Sequence, residues 1–150
     1  MKILVLNGPN LNMLGKRDPA KYGNLTLFEI NRELKNTAEQ LHVSLIFFQS
    51  NHEGNLIDFI QKESVRKSIS GVLINPGALV RYGYSLRQAF IDFGKPVVEV
   101  HMSNIDITGI NKSVNVLEDI RICMVTGLKE KSYSLGLQKL VEHIRFNKEK

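Results

Sequence analysis

Cysteine is almost absent from this chain: Cys123 is the single one in 150 residues. No intramolecular disulfide can form, and no Cys/His set stands at metal-ligand spacing. Cys123 sits among Ile120, Ile122 and Met124, the surroundings of a small buried hydrophobe rather than of a nucleophile. Long apolar runs are also missing. None approaches the roughly 20 residues of a membrane span. One Lys and four apolar residues precede Asn7, which is no signal peptide, so a cytoplasmic location is expected. No basic stripe is interleaved with aromatics, so neither nucleic acid nor membrane is expected as a partner. No G-x-G-x-x-G and no G-x-x-x-x-G-K-[ST] follows the first apolar run, which leaves phosphate cradling at Gly8 and Gly77 a weak alternative. His52 and Glu53, side by side, do not make a metal site, and none is expected.

What is present fits one soluble domain spanning residues 1–150. The hydrophobic fraction is 43%, ordinary for a globular chain. A chain of this size can bury roughly 68–70% of its unfolded surface, so a core forms without staples. The net charge is +5; Lys62, Arg66, Lys67, Lys148 and Lys150 read as solvated surface. A modest positive field suits a small anionic substrate.

The pattern alternates short apolar runs with helical periodicity. Strands are expected at Lys2–Asn7, Val43–Phe48, Gly71–Asn75, Val97–His101 and Ile120–Val125. Thr26-Leu27-Phe28-Glu29 has the form of a capping box, and Leu27, Ile30, Leu34, Ala38 and Leu41 follow at helical spacing. A second helix carries Leu56, Ile57, Phe59 and Ile60, after a polar turn over 49–54. A third spans about Tyr84 to Phe93, with Gly94 as its stop and Pro96 beyond it. Ser132 is the expected N-cap of the last. Residues 102–118 read as irregular. Five βα units without an internal boundary or repeat predict an α/β three-layer sandwich. Its sheet is parallel and five-stranded, in the flavodoxin-like order 2-1-3-4-5. Ligands of such sheets bind beyond the carboxyl ends of the strands where the order reverses, here between strands one and three.

The connection from Asn7 to Thr26 is too long to be a plain linker. Leu11, Met13, Leu14 and Tyr22 need something to pack on, and Asn10, Asn12, Arg17 and Tyr22 carry polar chemistry. It reads as a fixed rim followed by a lid over about 15–24. Glu99 precedes His101 by two residues on a strand, so both point to one face, where the carboxylate can orient the imidazole. The alternative is a satisfied core histidine. A guanidinium beside Tyr22 would favour a phenolate, a usable base; the alternative is a packing aromatic. Asn10, Asn12 and Asn75 can hold an oxyanion or a water without adding charge, or can serve only as turn residues.

Four segments together resemble the type II 3-dehydroquinate dehydratases: NGPNLNMLGKRDPAKYG (7–23), QSNHEGNLIDFIQ (49–61), INPGA (74–78) and EVHMSN (99–104). The resemblance implies a flavodoxin-like subunit assembled as a homododecamer, a tetramer of trimers. It implies anti dehydration of 3-dehydroquinate to 3-dehydroshikimate, in the shikimate pathway of aromatic amino acid biosynthesis or in quinate breakdown. No cofactor and no metal take part. By the resemblance, Tyr22, activated by Arg17, removes the C2 proton. The enolate is stabilised through a water near Asn10 and Asn12. His101, oriented by Glu99, protonates the leaving C1 hydroxyl. Asn75, the backbone of Met102 and Ser103, and the Ser103 hydroxyl hold the substrate carboxylate.

Three positions depart from the family pattern. Val80-Arg81-Tyr82-Gly83 stands for a Thr-His-Thr-Ser run, so Arg81 replaces a His that contacts a ring hydroxyl. Gln88 replaces an Asp that reaches in from a neighbouring subunit, and Lys112 replaces a substrate-binding Arg. Arg81 donates but cannot accept hydrogen bonds, and Lys112 lacks the planar fork. Either Arg81 and Lys112 re-pair the substrate hydroxyls, or the chain is a divergent paralogue that acts on or binds another cyclic polyol acid. A non-catalytic homologue is the remaining alternative.

Overall fold

The computed structural model describes residues 1–105 and 114–150. Strand β1 (Lys2–Asn7) lies at the centre of a parallel sheet, between β2 (Ser44–Gln49) and β3 (Ile69–Asn75). Beyond β3 come β4 (Val97–His101) and β5 (Cys123–Thr126), giving the order β2-β1-β3-β4-β5. This is the flavodoxin-like α/β sandwich that the alternating pattern predicts.

Alternation along each strand divides the core in two. Ile3, Val5, Leu73, Val98 and Val100 pack toward α2 (Leu27–Gln40) and α5 (Lys131–Lys148). Leu4, Leu6, Val72, Ile74 and Val97 pack toward α3 (Glu53–Ser64) and α4 (Tyr84–Phe93). The strands read as unbroken apolar runs because both faces are covered. The capping box at the head of α2 forms: Thr26 Oγ1 accepts from the Glu29 backbone at 3.3 Å, and Glu29 Oε2 accepts from the Thr26 backbone at 2.8 Å. Gly94 ends α4 in the left-handed conformation, at φ 64°.

Strands β2 and β3 run Ser44–Gln49 and Ile69–Asn75 rather than Val43–Phe48 and Gly71–Asn75, and two further boundaries differ from expectation. Strand β5 starts at Cys123 rather than Ile120, because Leu117 O first accepts from both Ile120 N and Arg121 N, closing a turn. Sheet pairing resumes only where Ile122 N donates to Val97 O. Helix α5 begins at Lys131, so Ser132 lies in its first turn instead of capping it. Its Oγ accepts from Leu128 N at 3.2 Å and so secures the loop that enters the helix.

Candidate active site

The loops after β1 and β3 meet backbone to backbone above the sheet. Gly8 N donates to Asn75 O at 2.8 Å. A Cβ on Gly8 would lie 2.3 Å from Pro76 O, so no side chain fits there. Gly77 returns the approach from the other side, at φ +56°, where a Cβ would lie 3.0 Å from Pro9 O. Glycine is demanded at both positions by this contact.

The loop after β1 is structured throughout. Asn10 takes the left-handed conformation at φ 68°, and a single 3-10 turn, Leu11–Met13, follows. Leu11 and Leu14 are buried and anchor the loop in the core. The polar turn after β2 braces the rim: Asn51 Oδ1 accepts from Asn10 N at 3.0 Å and from Gln49 Nε2 at 3.1 Å. The sequence reading saw only a turn there, because the brace spans 41 residues of chain. Asp18 then caps the one-turn helix α1 (Pro19–Tyr22), accepting from Ala20 N at 3.0 Å, with Pro19 at its first position. Tyr22 ends that turn. Arg17 lies over it: its guanidinium carbon is 3.9 Å from the ring centroid, and Nη2 donates to Tyr22 Oη at 2.9 Å. A cationic donor on the phenol oxygen stabilises negative charge there.

At the end of β4, Glu99 is fully buried and His101 nearly so. Nε2 of His101 lies 2.5 Å from Glu99 Oε1, as their shared strand face predicts. Two further groups hold the same carboxylate. Asn115 Nδ2 donates to both oxygens, at 3.0 and 3.1 Å, and Arg121 Nη1 donates to Oε2 at 2.6 Å. Burial pushes the Glu99 carboxyl up, but His101, Arg121 and Asn115 outweigh it and hold it below the usual carboxylate range. Neither Arg121 nor Asn115 is among the site residues that local sequence spacing points to. Arg121 is the one charge inside the apolar run 120–125, and that interruption was the available signal.

A third network lies beneath the cleft. Tyr133, in the first turn of α5, is fully buried. Its hydroxyl donates to Asn7 Oδ1 at 2.6 Å and accepts from Asn75 Nδ2 at 2.9 Å. Burial pushes this hydroxyl far above its ordinary range, so it stays a donor. Asn75 Oδ1 also accepts from Gly77 N at 3.2 Å, which ties the amide to both the core and the loop.

These pieces surround a cleft of about 490 Å³ at the reversal point of the strand order. Asn10, Arg17 and Tyr22 line it from the first loop, and Asn75 and Arg81 from the end of β3 and the 3-10 turn after it. His101, Met102 and Ser103 line it from β4. Glu99 stands behind His101. Asn12 is exposed and is not among the lining residues. Gln88 faces away on α4, donating to Asp92 Oδ1 at 2.8 Å. Lys112 lies outside the described residues. Arg81 donates to Val114 O at 2.5 Å and to Ile105 O at 3.0 Å, bridging the backbone on either side of residues 106–113. Among the described residues, no three His, Cys, Asp or Glu side chains stand close enough to share a metal ion. Two pairs able to carry a proton, Arg17–Tyr22 and His101–Glu99, are brought together at the cleft beside the Arg17 and Arg81 charges.

The chain matches the model of the family "Dehydroquinase class II" over residues 1–141. It is 45% identical over 145 residues to a 3-dehydroquinate dehydratase of Carboxydothermus hydrogenoformans, covering 97% of this chain and 93% of that one. It is 42% identical over 138 residues to the enzyme of that name from Bacillus subtilis, covering 92% of each. The crystal structure of a type II dehydroquinase from Butyrivibrio crossotus superposes with a TM-score of 0.88 at 34% identity, covering 93% of this chain and 97% of that chain. The chain belongs to the class II dehydroquinase family.

Proposed function

We propose that this protein is a 3-dehydroquinate dehydratase of the shikimate pathway, serving aromatic amino acid biosynthesis. The observation that carries the reading is that two proton-transfer pairs face one cleft, Tyr22 on Arg17 and His101 on Glu99. An elimination of water through an enolate needs such a pair of groups and no redox step. Tyr22 takes the C2 proton, and the C–H electrons move into the enolate. That charge is met by a water held near Asn10, which lines the cleft. The C1–O bond then breaks, and His101 gives its proton to the departing hydroxyl, which leaves as water. Glu99 keeps the imidazole aimed. Asn75 and the Met102–Ser103 backbone, with the Ser103 hydroxyl, hold the substrate carboxylate. Arg81 adds positive charge on the hydroxyl side of the cleft.

Residues 1–150 form one domain whose 15–24 segment is the lid, assembled as a homododecamer of four trimers in the cytoplasm. Family membership supports the assembly. No described helix is long and apolar enough to cross a membrane. Purified protein with 3-dehydroquinate should produce an ultraviolet-absorbing enone. No enone at high protein concentration would sink the dehydratase reading. Size-exclusion chromatography with light scattering should give a dodecamer, and a monomer would refute the assembly.

A further inference from the structure

Arg121 has no part in the proposed steps, yet it grips their most buried charge. Its side chain is 13% exposed, and Nη1 sits 2.6 Å from Oε2 of a carboxylate that is 0% exposed. The other oxygen of Glu99 carries His101 at 2.5 Å. One buried negative charge is thus shared between a permanent cation behind it and an imidazole in front. Asn115 bridges both oxygens and fixes their plane. The turn that carries Arg121 does not need the guanidinium to close. Leu117 O accepts from Ile120 N and Arg121 N, and Asn115 Oδ1 accepts from Leu117 N at 2.9 Å.

Sharing matters for a general acid. A buried carboxylate with no other partner would spend its whole charge on the imidazolium and hold the proton tightly. An efficient acid holds its proton only as firmly as protonation of the substrate allows. Resting on the dehydratase reading, we propose that Arg121 is a positioning residue for His101: it neutralises Glu99 from behind, so the imidazole stays oriented yet gives up its proton to the leaving hydroxyl. Among the described residues, the other charged or titratable groups lining the cleft with His101 are Arg17 and Tyr22 from the first loop and Arg81 from the turn after β3. All of them remain in an Arg121 variant.

The test compares R121Q and R121K with the unsubstituted protein. Readouts are kcat, KM, the pH profile of kcat, and the NMR titration of the His101 ring, assigned by its loss in His101→Asn. In R121Q, kcat should fall by about tenfold, a loss typical of partners that orient a working group, with KM changed by less than about twofold. The alkaline limb and the His101 resonance should both move to higher pH, because a cation beside the buried pair is lost. R121K keeps the charge and should restore all three. A folded R121Q with unchanged kcat and unchanged His101 titration, or with an effect on KM alone, overturns the proposal. If R121Q fails to fold, E99Q and E99Q/R121Q decide. The double variant contains no unpaired guanidinium facing the imidazole and should turn over faster than E99Q; an equal or slower rate overturns the idea. Should the unsubstituted protein make no enone, the dehydratase reading fails, and an unmoved His101 resonance in R121Q still refutes Arg121 separately.

Discussion

Tyr22 and Phe differ by one oxygen, and that oxygen accepts the hydrogen bond from Arg17. In Tyr22→Phe the ring is expected to stay under the guanidinium, so substrate binding should change little while the proposed base is lost. Steady-state kinetics should show kcat lower by about 10²–10⁴ with KM nearly constant. A large KM effect with kcat intact would remove Tyr22 from the role of base. Tyr133 acts without touching the cleft. Its hydroxyl is the link between Asn7 and Asn75, and Asn7 Nδ2 has no hydrogen-bond partner among the described residues. Tyr133→Phe would orphan buried polar groups, at a cost of about 1–3 kcal/mol in denaturant melts. Released from that hydroxyl, Asn75 should bind substrate less well, so KM should rise.

At the scale of elements, each site residue owes its place to where a strand or helix stops. Strand β4 ends on His101 because the chain leaves the sheet there, and the pleat puts Glu99 on the same side. Helix α1 is only one turn long, yet it fixes Arg17 and Tyr22 in contact. Helix α5 delivers Tyr133 because it lies unusually close to the sheet. A Cβ at Gly136 would stand 2.5 Å from Val100 Cγ1 and 2.9 Å from Leu73 Cδ1. Gly136→Ala therefore sets two effects against each other. Helix propensity favours Ala by about 1 kcal/mol, while overpacking against a stiff β-branched neighbour costs about 1–3 kcal/mol. The clash should win and lower the denaturation midpoint. A raised midpoint would mean that α5 can move off the sheet without loss.

Over the whole molecule, the strand order decides where charge and cleft coincide. The reversal between β1 and β3 opens the space, and among the described residues the positive charges lining it are Arg17 and Arg81. Stability should also carry the signature of the buried carboxylate. Glu99 is held below its ordinary value of 4.5 in the folded state. Its contribution is fully present above that ordinary value and is lost as pH falls through the lower, folded one. Urea melts between pH 7 and pH 3 should show stability falling below about pH 4.5, and Glu99→Gln should flatten that fall. Glu29 is lowered as well, by its backbone hydrogen bond with Thr26 first, so some slope remains in the variant. An unchanged slope in Glu99→Gln would mean that the carboxylate is not ionised inside the fold.

The periodicity of the chain by itself indicated five strands of a parallel sheet and the four long helices, because burial on two faces writes itself into local apolar spacing. The strand order was only the simplest arrangement of those units, and the closed sheet decided it. Short-range chemistry was equally legible: the Thr26–Glu29 box, the Glu99–His101 pair and the Arg17–Tyr22 pair all lie within five residues of chain. Tertiary structure alone decided what supports them. Arg121 and Asn115 reach Glu99 across 22 and 16 residues, and Tyr133 reaches Asn7 across 126. No local pattern encodes a contact that exists only once the sheet has closed. The same reason accounts for the start of β5, where a turn that Leu117 closes takes up residues whose apolar pattern alone reads as strand.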